Sequence, residues 1–246
     1  MSLSEINIRE KEFHNKLVVS GNDRKENKFY KAINNIYLDF FDFLKSEVKD
    51  KNILDFGCGN GGYVKKVNNF GPSKIIAIDI SDEAIDYAKK INKENENIEF
   101  RVENCENTKL KSNQFDLIYG AGILHHLDLM KSFREINRLL KKDGSLIFIE
   151  PLGTNPIINL YRMFTPNSRS KDEHPFNFKD IKSLNKLFKK VEISYYGFFT
   201  LIGLPFYKKA ENSKIFTILS KIDKFFLSIP LFRFLAWSIL IKAKKI

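Results

Sequence analysis

Apolar residues recur at helical spacing over 27–48 (NKFYKAINNIYLDFFDFLKSEV), which predicts a helix ahead of the main domain. Beyond it the pattern changes to short apolar runs. NILDFG (52–57) reads as a buried strand ending in glycine, and KIIAIDI (74–80) as a second. NIEFRVE (97–103), FDLIYG (115–120) and SLIFIE (145–150) read as the third to fifth strands. VEISYYGF (191–198) is a sixth and AWSILIKAKK (236–245) a seventh. Helical segments fall between them. One starts from an N-cap at Ser81, carries Asp82 and Glu83 in its first turn, and ends near Ile91; another covers 129–141. This alternation predicts an α/β fold with a mostly parallel sheet covered on both faces.

Two segments break the rhythm. Residues 151–177 (PLGTNPIINLYRMFTPNSRSKDEHPFN) form a connection long enough to act as a lid. In 213–236, Ile215, Ile218, Leu219, Ile222, Phe225, Phe226 and Ile229 fall on one helical face, with Lys214, Lys221 and Lys224 opposite and Pro230 as the stop. That is an amphipathic helix with a basic polar side, suited to an anionic membrane, to the protein's own core or to a second subunit. The expected organisation is one domain over 1–246. It has a helical cap (1–49), a core (50–150), and a part holding the lid, the amphipathic helix and the last two strands (151–246).

Composition sharpens this only at the tail. The net charge is +11, and residues 208–246 hold nine Lys/Arg against Glu211 and Asp223. This favours contact with an anionic surface there, while a solvated lysine-rich face explains the rest. Two cysteines make no disulfide framework, and no CxxC or Cys/His spacing points to a metal, so none is expected. A polar N-terminus and an apolar run (225–241) broken by Pro230 and Arg233 predict neither a signal peptide nor a membrane span. The expected location is cytoplasmic, with peripheral contact on the inner face of a membrane as the lipid-facing option.

Chemistry concentrates in GCGNGG (57–62). Gly57, Gly59 and Gly62 satisfy the dinucleotide fingerprint GxGxxG. With Asp55, residues Gly57, Gly59 and Gly61 equally satisfy DxGxGxG. Both patterns need bare backbone at a strand-to-helix turn. The acid separates them: a carboxylate beside the loop repels a pyrophosphate and suits a cationic ligand that carries no phosphate.

The stretch resembles the first signature motif of class I S-adenosylmethionine-dependent methyltransferases, and the resemblance continues in order over 50–151. It implies a seven-stranded Rossmann-like sheet whose last strand is antiparallel, and S-adenosylmethionine as cofactor. On this resemblance Asp55, Gly57, Cys58, Gly59 and Gly61 form the cofactor loop. Asp79 is similar to the family's ribose-binding acid, with Ile80 beside it. ENCEN (103–107) resembles the adenine-contacting segment, so Asn104, Cys105 and Glu106 are placed there; an aspartate is commoner at the Asn104 position. FDLIYGAGILHHL (115–127) resembles the fourth-strand motif, which brings in Gly120 and His126. LLKKDGSLIFIEP (139–151) resembles the motif around the fifth strand.

Transfer to oxygen or carbon needs a base. His174, in DEHP beside Asp172 and Glu173, and His125 are the candidates. Tyr161 and Arg162 could bind a polar or anionic acceptor, and His14 could fold over the cleft from the N-terminal segment. The apolar 197–236 region suits a small-molecule acceptor that is apolar, lipid-linked or a sugar, with oxygen as the expected acceptor atom. NPII (155–158) has the look of an amino-group methyltransferase motif but follows the wrong strand. Nucleic acid is not the expected partner, because no RNA-binding module is recognisable. The competing readings are an RNA methyltransferase, an NAD-dependent oxidoreductase and a non-catalytic cofactor-binding protein at a membrane surface.

Overall fold

The computed structural model describes residues 3–20, 28–165, 169–207, 209–210 and 212–246. Its elements are α1 (Glu5–Ser20), α2 (Asn34–Glu47), β1 (Asn52–Phe56), α3 (Val64–Asn68), β2 (Lys74–Asp79), α4 (Asp82–Ile91), β3 (Ile98–Val102), β4 (Phe115–Ala121), α5 (Leu129–Leu139), β5 (Leu140–Pro151), α6 (Pro156–Phe164), α7 (Phe178–Leu184), β6 (Phe188–Tyr196), α8 (Phe199–Ile202), α9 (Lys214–Phe226) and β7 (Ser238–Lys245). The strands form one sheet in the order β3-β2-β1-β4-β5-β7-β6. The first five run parallel, and β7 inserts antiparallel between β5 and β6. All seven predicted strands are present, and the antiparallel seventh strand is where the resemblance puts it.

The sheet separates two cores. Phe56, Phe133, Phe148, Phe176 and Phe188 pack on one side. Ile36, Phe40, Leu44, Ile53 and Tyr119 pack on the other. The predicted helix over 27–48 splits into a 3-10 turn (Lys28–Ile33) and α2. Its buried stripe of Ile36, Phe40, Phe41 and Leu44 holds the pair to the sheet, each side chain contributing about 2 kcal/mol by burial. Ser81 caps α4 as expected, its hydroxyl accepting from Ala84 N at 3.0 Å.

The 151–177 segment is partly helical; residues 166–168 within it lie outside the described residues. Asn155 caps α6 by accepting from Ile157 N and Ile158 N, so the NP dipeptide is a helix start with proline at the first turn. Four helices were not individually foreseen: α1, α6, α8, and α7, which opens with a reciprocal capping box between Asn177 and Asp180.

The expected apolar face of the amphipathic helix is divided between the core and the surface. α9 buries the face carrying Phe216, Asp223 and, just past its end, Leu227. Ile215, Ile218, Ile222 and Phe225 point outward, Phe225 with three quarters of its surface exposed. The cause is Asp223. Its carboxylate accepts from Phe198 N, Phe199 N, Thr200 N and the Thr200 hydroxyl, and so caps α8. A carboxylate buried with four donors fixes the rotation of α9 more firmly than one apolar stripe does.

Candidate active site

The glycine loop leaves β1 at the C-terminal edge of the parallel strands, where open α/β sheets bind ligands. Gly57 N and Cys58 N both donate to Ile78 O, at 2.9 and 2.8 Å, which folds the loop back over β2. Gly59 adopts φ +51°, and a Cβ built there would meet nothing within 4 Å. It is therefore bare backbone facing open space, the feature a closely approaching ligand requires. Gly57 is different: a side chain at φ +79° would strike Ile123 at 2.3 Å, so this glycine serves the turn itself.

Asp79 ends β2 at the same edge. One oxygen accepts from Gly59 N at 2.8 Å and the other from Ser81 N at 2.9 Å. Each oxygen keeps a further lone pair, and the residue lines the main cleft. The cleft holds about 1260 Å³ and also contains Asn60, Gly122, His14, His125, His126, Tyr161, Arg162 and Glu173.

Not every expected residue reaches that space. Asp55 is 3 % exposed and does not line the cleft; it pairs in register with Tyr119 across β1 and β4. Burial, then the nearby Asp55 carboxylate, pushes the Tyr119 hydroxyl well up from its ordinary range. Asp55 therefore stands beneath the loop and not in the cleft where the sequence reading put it. Burial, reinforced by Asp55 and Asp79, also pushes both thiols, Cys58 and Cys105, well up and keeps them protonated. Gly61 packs against Ala88, where a Cβ would sit 3.0 Å from its neighbour. Gly120 is wedged between Phe148 and the Phe56 carbonyl, so its smallness is a packing requirement, and Ala121 and Gly122 face the cleft instead.

Ile80, Asn104 and Glu106 line a second, smaller cavity of about 560 Å³. The Asn104 amide oxygen accepts from Glu106 N at 2.9 Å, and its NH2 donates to Asn7 of α1 at 3.2 Å. α1 bridges both cavities. Asn15 joins Ser81 and Asp82 at 2.6 and 2.8 Å, and Arg9 makes a two-pronged pair with Asp172 of the lid segment, both bonds 2.8 Å.

The two histidines after β4 are set by a buried carboxylate. Glu150, fully buried at the end of β5, accepts from Ile123 N and Leu124 N at 3.1 and 2.8 Å and so holds the 3-10 turn over 124–126. It also meets His125 Nδ1 at 2.7 Å, while Glu173 meets His125 Nε2 at 3.4 Å. Burial pulls His125 down, but the two carboxylates outweigh it and raise its pKa to about 9. Burial and the charge of His125 together lower His126 to about 4, against the pull of Glu10.

His174 does not fill the expected role of a base in the cleft. Its side chain is 59 % exposed, lies outside the cleft, and pairs with Asp180 at 3.3 Å rather than with Asp172 or Glu173. Its backbone N–H ties the segment to His125 O at 2.7 Å. The neighbour Glu173 faces inward instead. Sequence reasoning passed over Glu173 by treating it as an accessory of the histidine; the DEHP stretch itself was the available signal. Arg162 is half-buried at the cleft, where burial lowers its pKa from the ordinary value and Glu173 opposes the shift.

Residues 54–148 match the family model of the methyltransferase domain. An uncharacterized protein of Methanocaldococcus jannaschii is 35% identical over 140 residues, covering 56% of this chain; the chain spans about half of that relative's length (50%). Demethylmenaquinone methyltransferase of Staphylococcus saprophyticus is 27% identical over 178 residues, covering 61% of this chain and 76% of the relative. Among solved structures, geranyl diphosphate C-methyltransferase from Streptomyces coelicolor A3(2), in complex with Mg2+, geranyl diphosphate and S-adenosyl-L-homocysteine, superposes with a TM-score of 0.69 at 12% identity, each chain covered in full (100% and 100%). That likeness concerns the fold alone. The domain match, the strand order and the glycine loop agree in giving residues 54–148 the likeness of a methyltransferase domain.

Proposed function

We propose that this protein transfers a methyl group from S-adenosylmethionine to an amphiphilic small-molecule acceptor, at an oxygen or activated carbon. One observation carries the reading. A single cleft joins the open backbone at Gly59 and the acid Asp79 to a wall of Tyr37, Trp237, Ile157 and Leu201. At about 1260 Å³ it exceeds the roughly 300–1,000 Å³ of a one-ligand site, which leaves room for two reactants.

S-adenosylmethionine, when bound, supplies an electrophilic methyl on a positive sulfur. The residues suited to hold it are Gly59, Asn60 and Asp79, with Asn104 and Ile80 at the second cavity. Asp79 binds ribose hydroxyls through its remaining lone pairs. Asp55 and Asp79 favour positive charge by their field. Arg162 orients an anionic or polar group of the acceptor. Glu173, at the cleft wall, takes the proton that the acceptor loses as its new bond to methyl carbon forms. His125 has both ring nitrogens engaged by carboxylates and acts as the brace that holds Glu173.

The mouth of the cleft supports an acceptor with an apolar body. Ile157 and Ile202 line it, and Leu160, Met163 and Phe206 on the same elements or the turn after α8 are more than half exposed. The outward stripe of α9 lies beside Lys214, Lys221 and Lys224. An apolar stripe with flanking lysines matches an anionic lipid surface from which such an acceptor would be collected. None of the described helices is long and apolar enough to cross a membrane.

The test is incubation with methyl-labelled S-adenosylmethionine and cell extract, followed by separation of lipid, small-molecule and RNA fractions. Label in the lipid or small-molecule fraction is expected. Label confined to RNA, or calorimetric uptake of NADH and none of S-adenosylmethionine, would overturn the reading.

A further inference from the structure

Three donor side chains meet beside the cleft from two distant parts of the chain. Glu10 and His14 stand one turn apart on the same face of α1, and His126 comes from the turn after β4. Their donor atoms all lie within 4.8 Å of one another. The Glu10 carboxylate lies 3.0 Å from His126 Nδ1 and 3.6 Å from His14 Nε2. The expectation of no metal arose because no short spacing in the sequence brings these donors together.

The state of Glu10 marks the cluster as more than a chance ion pair. The residue is 4 % exposed, and neither carboxylate oxygen receives a hydrogen bond of proper geometry. A buried carboxylate left so is costly, and a cation is one of the few things that relieves it. The spacings fit that role. A cation bound at about 2.0–2.1 Å to tetrahedral nitrogen and oxygen donors holds neighbouring donor atoms roughly 3.3 Å apart.

We propose that Glu10, His14 and His126 bind a divalent first-row transition cation. Two imidazoles and one carboxylate suit Zn2+, Mn2+, Fe2+ or Co2+ better than Mg2+ or Ca2+, which prefer oxygen donors. Three protein ligands leave at least one coordination position open. His14 and His126 both line the cleft, so that position faces the space assigned to the acceptor. The surroundings are those of a supported site. His126 lies against His125 with ring centroids 4.1 Å apart and the planes tilted by 39°, and His125 is itself clamped by Glu150 and Glu173; His14 meets the His126 ring edge-on at 5.1 Å. α1 is held across the cleft by the Arg9 to Asp172 pair, which fixes the two ligands it carries.

The test is direct binding to the full-length protein, stripped with chelator and titrated with zinc, manganese and cobalt chlorides. One equivalent of cation is expected, with tetrahedral or five-coordinate Co2+ absorption. Glu10→Gln and His14→Ala should each weaken binding by at least the roughly 10- to 100-fold typical of losing a mere supporting partner. His174→Ala, outside the cluster, should bind as the parent does. His14 is partly exposed, so His14→Ala is the variant that keeps the fold; circular dichroism on each variant verifies it. Absence of stoichiometric uptake by the parent, or equal affinity in His14→Ala, would overturn the site. S-adenosylmethionine binding, measured in parallel, reports on the methyltransferase reading separately.

Discussion

The two walls of the cleft are built on different principles. The floor is backbone: Gly59 in open space, the loop amides tied to Ile78, and Asp79 gripped by two N–H groups. The opposite wall is side chain, carried by α1, α6 and α8 and by the segment that holds Glu173. A floor made of backbone depends on a few positions and tolerates little change. A wall of side chains can be rebuilt by substitution, which is how one scaffold serves many acceptors.

Glu173→Gln should give the largest effect by striking the wall alone. Turnover should fall by roughly 100- to 10,000-fold, as expected for a lost proton acceptor, with S-adenosylmethionine affinity unchanged in calorimetry. Loss of cofactor affinity as well would erase the division between the walls. Asp79→Ala attacks the floor. Two hydrogen bonds to a charged group, at about 1.5–3 kcal/mol each, translate to a loss of cofactor affinity on the order of 100-fold or more. Unchanged affinity would remove Asp79 from the site. Asp223→Ala removes no residue of the cleft but frees the cap of α8, one support of the wall. A cost of about 3 kcal/mol should lower Tm by roughly 6–12 °C, with cofactor affinity intact. Ile218→Asp with Phe225→Asp should reduce binding to anionic vesicles by about tenfold or more, since burial of each side chain is worth about 2 kcal/mol. Vesicle sedimentation of parent and variant decides it, and a parent that stays in the supernatant would end the lipid-surface reading. His174→Ala should change turnover by less than about twofold, because its ring faces solvent; a large loss would restore it to the chemistry.

The floor was largely legible in the sequence because it is local. A strand, a glycine turn and an acid at the next strand end lie within thirty residues, and their order carries the geometry. The wall was not. His174 was favoured for its residue type, yet a one-residue alternation along DEHP turns its ring outward and Glu173 inward. Gly120 was read as a ligand contact because a tightly packed glycine and a ligand-facing one look alike as letters. The hydrophobic period of α9 was read correctly as amphipathic, but the buried Asp223 decides its rotation. A charged residue in the buried face defeats any inference from hydrophobicity alone. Glu10, His14 and His126 converge only through tertiary structure.

That same aspartate has a thermodynamic effect at the surface. A peripheral helix that orders only on contact spends conformational entropy at the moment of binding, and its affinity is reduced accordingly. Here the capping bonds to Phe198, Phe199 and Thr200 complete that ordering during folding. Ile215, Ile218, Ile222 and Phe225 therefore meet any apposed surface as a preorganised array, and the apolar area they lose to it counts toward affinity without an ordering penalty.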